Sequence, residues 1–308
     1  MTVLVAGGAG FIGSHILDAL LQGGNSVVCV DNLCLGSEDM IRHCYGNPNF
    51  EFVEIDICDA AKLDTVFKNH RFERVYHLAA NSDIKKSGED PGIDYRNTFL
   101  TTVSLLDAMR KYAVTELLFA STSAVYGDKR ELLSEDTGGL HPVSYYGAAK
   151  LASEAFISAY AAMNGLAVNI IRFPNVVGPR LTHGAIYDFI AKLRKNPKEL
   201  EILGDGNQDK PYIYVADLIE VIMLMKYVPG VEIFNIGVDN STTVWRIADI
   251  VCEEMGLRGV EYKFTGGVAG WPGDVPSFQY DLNKIHAFGW TAKYTSDEAV
   301  RLAARVSA

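Results

Sequence analysis

Three groups of residues in this chain have the types and spacing to do chemistry. The first is Gly7-Gly8-Ala9-Gly10-Phe11-Ile12-Gly13, which sets Gly7, Gly10 and Gly13 three apart. Such a loop turns tightly and brings backbone close to an anion with no Cβ in the way. A helix opening behind it aims its N-terminus at the negative charge. The second is Tyr146 and Lys150, four apart and so on one face of any helix that carries them. An ammonium beside a phenol favours the phenolate and draws it toward neutral pH, where it can act as general base for an alcohol. The third is Ser121-Thr122-Ser123, whose hydroxyls could bridge a substrate and that phenol. Spacing alone does not select a site, since Tyr280 and Lys284 repeat the Tyr-Lys interval.

Position in the chain does select. A β-branched run at 3–6 precedes the glycine loop, and apolar residues at helical spacing (Ile12, Ile16, Leu17, Leu20, Leu21) follow it. Further strands are expected at 26–30, 50–54, 74–78, 116–120 and 167–172, with helices at 60–69, 95–112 and 145–163 between them. Near-continuous apolar strands alternating with helices predict a parallel sheet covered on both faces. Open α/β sheets place ligands at the carboxyl ends of their strands. The glycine loop, Ser121–Ser123 and the Tyr146 helix all fall at such ends, whereas Tyr280 does not. Past residue 173, prolines break up shorter elements: a helix near 187–195, a strand near 200–203, a helix near 215–227 and a strand at 232–236.

Asp31 closes the second strand. A carboxylate there accepts both hydroxyls of an adenosine ribose and repels a 2′-phosphate, so NAD is expected rather than NADP. A helix or turn cap is the lesser alternative for Asp31. Asp56-Ile57, after the third strand, is placed to bracket adenine, with a cap at Asp56 as the plainer alternative.

The remaining composition narrows the class. With 308 residues the chain can bury a large core without staples. A net charge of -10 argues against non-specific binding to nucleic acid or anionic membranes. Five scattered cysteines without CxxC pairs and seven histidines without HExxH spacing suggest neither a disulfide framework nor a metal site. There is no basic leader and no apolar run of about 20 residues. The expectation is a reduced, soluble, cytoplasmic protein.

Together these residues resemble the extended short-chain dehydrogenase/reductases, specifically the nucleotide-sugar epimerases of the NAD-dependent epimerase/dehydratase family. The resemblance covers essentially the whole chain. It is carried by 3–13 (VLVAGGAGFIG), Asp31-Asn32-Leu33, Asp56-Ile57, His77-Leu78-Ala79-Ala80, Asn97-Thr98, 121–127 (STSAVYG), 142–150 (PVSYYGAAK), 172–180 (RFPNVVGPR), 204–217 (GDGNQDKPYIYVAD) and Gly273-Asp274-Val275. It implies an α/β fold, a Rossmann-type doubly wound parallel sheet with a smaller C-terminal α+β substrate domain. The expected division is 1–173 plus about 212–240 for NAD, and about 174–211 plus 241–308 for the nucleotide sugar.

The resemblance also implies roles. Gly7, Gly10, Phe11 and Ile12 would hold the pyrophosphate, Asp31 and Asn32 the ribose, and Asp56 and Ile57 the adenine. Leu78, Ala79, Ala80 and Asn97 would line the cofactor. Tyr146 would be the base, Lys150 its activator and ribose ligand, and Thr122 the bridging hydroxyl. Asn175 would meet the substrate diphosphate, backbone around Leu200 and Ile202 the uracil, and Asp274 and Phe278 the sugar side. Two departures stand out: Lys210-Pro211 replaces the family's Arg-Asp, and Trp271 replaces an Arg before Pro272-Gly273-Asp274. Lys210 supplies a point charge and Trp271 no bidentate contact, leaving Arg180 or His183 to share that work.

The expected activity is interconversion of UDP-glucose and UDP-galactose through a 4-keto sugar. An aromatic Phe278 leaves little room for a 2-acetamido group. The alternatives are epimerisation of UDP-N-acetylglucosamine or UDP-glucuronate, a dehydratase, a reductase or decarboxylase, and a non-catalytic NAD-binding regulator. A dehydratase would need acid and base residues after Thr122, where Ser123-Ala124 stand. Apolar residues around much of the girth of 95–112 and 145–163 imply, with the resemblance, a homodimer through a four-helix contact.

Overall fold

A computed structural model describes residues 1–82, 88–271 and 273–307; Pro272 of the Pro272-Gly273-Asp274 stretch lies outside the described residues. Seven strands make the main sheet: β1 (Thr2–Ala6), β2 (Ser26–Asp31), β3 (Phe50–Glu54), β4 (Arg74–His77), β5 (Glu116–Thr122), β6 (Ala167–Phe173) and β7 (Gly230–Asn235). Their spatial order is β7-β6-β5-β4-β1-β2-β3. β1 pairs in parallel with both β2 and β4, with Ala6 level with Val30 on one side and His77 on the other. The order reverses between β1 and β4, so the crevice of this doubly wound sheet opens there.

Helices α1 (Phe11–Gln22) and α2 (Ala60–Asn69) follow β1 and β3. α2 begins at Asp59, whose side chain accepts the Lys62 N–H. The helix expected at 95–112 starts earlier and is not uniform. Gly92–Asp94 leads into a π-helical stretch, Tyr95–Leu100, and then α3 (Thr101–Lys111). α4 (Tyr145–Asn164) buries Gly147, Lys150, Ser153, Glu154, Ile157 and Ala161 along one stripe. Leu4, Val28, Val75, Leu105, Phe119, Ile157 and Ile170 belong to one apolar core.

The chain divides into two compact units. The first comprises Met1–Val125, Tyr145–Arg172 and Ile222–Phe234; the second comprises Tyr126–Ser144, Phe173–Val221 and the residues from Asn235 on. These boundaries differ from the expected ones at 126–144, at 212–221 and at 235–240. Residues 212–221 go with the second unit because Tyr212–Tyr214 pairs with Asn175–Val177. Residues 126–144 go there because Leu133 bridges Tyr280, its N–H donating to the Gln279 carbonyl and its carbonyl accepting from the Asp281 N–H. The second unit has its own core, including Ile186, Phe189, Leu200, Ile202, Ile247, Val251, Val300 and Ala303. The strand expected near 200–203 is present at Glu199–Ile202, whereas the helices Val244–Glu254 and Ser296–Ser307 and the other short strands of this unit were not expected.

Candidate active site

The glycine loop sits where β1 meets α1. Gly7 has φ +81, and a Cβ there would lie 2.5 Å from the Ala79 nitrogen. A Cβ on Gly13 would lie 2.2 Å from the Gly7 oxygen, so the loop closes on itself only without side chains. At Gly10, the residue before α1, an added Cβ would meet only the Gly7 oxygen, at 3.4 Å. This leaves the space ahead of α1 open to a group that wants backbone N–H donors and a positive helix end. The residues therefore fit a dinucleotide pyrophosphate.

Asp31 is buried at the end of β2. Its Oδ2 accepts the Ala9 N–H at 3.0 Å and its Oδ1 accepts the Leu33 N–H at 2.9 Å. Asp31 thus fastens a turn, and each oxygen keeps capacity for a hydroxyl donor. Burial raises its carboxyl above the ordinary value, while the backbone donors Leu33, Ala9 and Asn32 pull it back. Asn32 Oδ1 accepts the Cys34 N–H. Asp56 Oδ1 accepts the Cys58 N–H, so it caps a turn, while Ile57 is buried beside it. Leu78 and Ala79 both donate to the Ala6 oxygen, which brings the 78–80 backbone over the glycine turn. Asn97 stands in the π-helical stretch, its carbonyl accepting from Thr101.

Thr122, Tyr146 and Lys150 come together in the first unit. Thr122 ends β5, accepts the Ala124 N–H at 3.1 Å and hydrogen-bonds the Tyr146 phenol. Lys150 Nζ donates to the Ala120 carbonyl at 2.6 Å and lies 6.0 Å from the Tyr146 ring centre. Burial pushes the Lys150 ammonium down to about 7, against Glu154 and Asp94, which raise it. Burial likewise pushes the phenol up to about 12; the Thr122 bond lowers it and Asp94 raises it further. This corrects the expectation of a phenol drawn toward neutrality by Lys150 alone. Desolvation of a buried phenolate outweighs an ammonium at this separation.

Several buried groups behind this set were not foreseen. Arg172 donates to Glu154 through Nε at 3.0 Å and Nη2 at 2.6 Å, and Ser121 Oγ also donates to Glu154. Glu154 stands four residues after Lys150 on the same stripe of α4, a spacing visible in the sequence. His77 is buried, with Nε2 2.9 Å from Thr102 Oγ1. Asp94 is also buried, its Oδ1 accepting from Asn81 Nδ2 at 3.0 Å.

The residues expected to meet substrate lie in the second unit. Asn175 is exposed at the start of a short strand paired with Tyr212–Tyr214. Arg180 has φ +67, a left-handed backbone rarely adopted outside glycine. His183 is exposed, with Nδ1 3.0 Å from Thr182 Oγ1. Leu200 and Ile202 have fully buried side chains in a strand paired with Glu261–Phe264, so only their backbone is placed to read a base. Lys210 Nζ is bonded to Asp274 Oδ1 and lies 5.4 Å from the Trp271 ring centre. The two departures from the family pattern are therefore in contact, and Asp274 already balances the Lys210 charge. Phe278 is buried against Tyr280, ring centres 5.4 Å apart.

Comparison with known proteins gives concordant results. The NAD dependent epimerase/dehydratase family model matches residues 3–237. A solved UDP-galactose 4-epimerase is 36% identical with a TM-score of 0.86, covering 99% of this chain and 98% of that one. The UDP-glucose 4-epimerase of Thermus thermophilus, solved with NAD, is 33% identical with a TM-score of 0.88 over 99% and 98% of the two chains. The UDP-glucuronate 4-epimerase of Thermodesulfobacterium geofontis is 32% identical over 240 residues, 76% of this chain and 74% of its own. Among the described residues no helix is long and apolar enough to cross a membrane.

Proposed function

The chain belongs to the NAD-dependent epimerase/dehydratase family, and from that premise we propose that it inverts C4 of a UDP-hexose, interconverting UDP-glucose and UDP-galactose. The observation that carries this reading is the Thr122–Tyr146–Lys150 set, held by hydrogen bonds at the end of β5 with no carboxylate directly after Thr122. Its cofactor is NAD, for which the open glycine turn and the Asp31 carboxylate are suited.

Bound NAD supplies a hydride acceptor beside the sugar and a positive ring that favours nearby anions. Gly7, Gly10, Phe11 and Ile12 would hold its pyrophosphate and Asp31 its ribose. Tyr146 takes the C4 hydroxyl proton, with Thr122 orienting the phenol, and returns it once the 4-keto sugar has presented its other face. Lys150 supports the phenolate as an ammonium. Ser123 and Ala124 form the turn after Thr122 and offer no acid or base for eliminating water, which disfavours a dehydratase. The intact Tyr, Lys and Thr disfavour a non-catalytic regulator. Asn175, Arg180, His183 and the Lys210–Asp274 pair would serve the diphosphate and sugar.

The test is incubation with UDP-galactose without added NAD, following products by NMR. Formation of UDP-glucose to an equilibrium mixture is expected. Conversion of only UDP-glucuronate or UDP-N-acetylglucosamine, in parallel incubations, would move the proposal to that sugar. A 4-keto-6-deoxy product would replace it with a dehydratase.

A further inference from the structure

Five charged side chains of the first unit are buried among the described residues: Asp31, Asp94, Lys150, Glu154 and Arg172. A charge taken out of water is tolerated only when another charge or several hydrogen bonds compensate it. Asp31 is held by two backbone N–H groups. Glu154 and Arg172 satisfy each other through two parallel bonds, at 4–5% side-chain exposure. That pairing leaves two opposite charges without a dedicated partner. Lys150 has one neutral acceptor, the Ala120 carbonyl. Asp94 is 1% exposed; its Oδ1 takes one amide bond from Asn81, and its Oδ2 makes no hydrogen bond. The turn that carries Asp94, Gly92–Asp94, packs against α4, which carries Lys150.

We infer that Asp94 is a positioning residue of the active site: its carboxylate is the buried counter-charge that keeps Lys150 an ammonium beside Tyr146. The inference rests on the reading of Lys150 as the group that supports the phenolate. Lys150 is faced by Tyr146 and Glu154 from its own helix, by Asp94 from the turn packed on it, by His77 from β4, and by the Phe119 ring and Ala120 carbonyl from β5. His77 is held neutral by burial; Glu154 raises Lys150 more than Asp94 does, but it is also paired with Arg172. Among the described residues, Asp94 is thus the carboxylate near Lys150 whose charge is not already spent on another cation. Its placement has a chemical logic. Burial brings Lys150 down to about 7 even with Glu154 and Asp94 raising it, so losing the Asp94 charge would carry it further toward the neutral amine at working pH. A neutral amine cannot support a phenolate.

The test reads Lys150 directly, by the pH titration of lysine ¹³Cε shifts in labelled protein, its signal assigned by loss in Lys150→Met. Asp94→Asn keeps the shape and the Asn81 bond but removes the charge. Its Lys150 midpoint is expected to fall by at least about 1 pH unit, the lower end for loss of a neighbouring opposite charge, while Asp94→Glu stays within about half of that shift. The alkaline limb of kcat should move down in parallel. A folded Asp94→Asn protein with an unshifted midpoint overturns the inference. If Asp94→Asn does not fold, Lys150→Met is added to it: a folded double variant supports the pairing, and an unfolded one overturns it. The titration needs no turnover, so a wild type inactive on every nucleotide sugar would defeat the proposed function while leaving this test readable. An active epimerase with an unshifted midpoint would defeat only the role of Asp94.

Discussion

The Ala9 N–H donates to Asp31 Oδ2 at 3.0 Å, so the carboxylate suited to the ribose also fastens the glycine turn from the neighbouring strand. Removing it should therefore act twice. Asp31→Ala is expected to weaken NAD binding at least about tenfold and narrow its advantage over NADP. It should also lower stability by about 1.5–3 kcal/mol, as for hydrogen bonds to a charged group. Fluorescence titration with both dinucleotides and a urea melt check this. Equal affinity of the wild type for NAD and NADP would contradict it.

Tyr146→Phe keeps the ring and loses the proton carrier. The fold and NAD binding should persist while kcat falls at least ~10²-fold, the lower end of general-base contributions. Tyr280→Phe is the control for spacing. Tyr280 is buried among Tyr126, Phe278 and Gly237, ring contacts that phenylalanine keeps, so its variant should be close to silent in kcat. Near-wild-type turnover by Tyr146→Phe would remove it from the mechanism.

His77 gives the protein an acid weakness. Burial, with Lys150 nearby, pushes its imidazole down to about 3. Below about pH 6.5 the unfolded chain binds a proton that folded His77 refuses, so stability falls as pH falls, by about 1.4 kcal/mol per unit until the folded value is reached. Between pH 6.5 and 5 that amounts to about 2 kcal/mol. Urea melts of wild type and His77→Gln should differ by this loss, and identical pH slopes would count against it.

Phe278 is the expected gate against a 2-acetamido sugar. Its ring is buried on Tyr280, so Phe278→Ser would cost about 3–5 kcal/mol, and Phe278→Leu is the variant that keeps the fold. Relief of about 1–3 kcal/mol of overpacking would raise kcat/KM for UDP-N-acetylglucosamine relative to UDP-glucose by roughly 5- to 150-fold, with Leu near the low end. An unchanged ratio places the gate elsewhere.

Assembly is open to a direct measurement. Tyr95 is 56% exposed, Phe156 44% and Met163 84%, and Phe99 packs edge-on against Phe156 at 5.0 Å. An apolar strip shared by two packed helices suits a second copy of the chain. A homodimer is expected by light scattering at micromolar concentration, and Phe156→Glu should shift it toward monomer. A monomeric wild type would refute this.

Much of the first unit was legible because its signals are local. Val3, Leu4 and Val5 before Gly7, or Tyr146 and Lys150 four apart, declare strand, turn and helix face within a few residues. The buried charges were not legible in that way. Glu154 meets Arg172 across 18 positions and Ser121 across 33, and no local pattern announces such a meeting. The tuning of Tyr146 failed for the same reason, since desolvation belongs to the folded surroundings and not to the Lys150 interval. In the second unit the strands Asn175–Val177 and Tyr212–Tyr214 are too short to show alternation. The helix Val244–Glu254 is different: Ile247, Ala248, Ile250 and Val251 carry a readable period.

The strand β7 comes from Gly230–Asn235, long after β6 ends at Phe173. During synthesis, a nascent chain that has emerged only through residue 229 has every other strand of the main sheet but leaves one side of β6 unpaired. That edge, apolar and ready to template another strand, stays uncovered until about 60 more residues have followed β6 out of the ribosome, about 3–12 s at roughly 5–20 residues per second. The same discontinuity means that a fragment ending after β6 is an aggregation hazard and not a free-standing nucleotide-binding module.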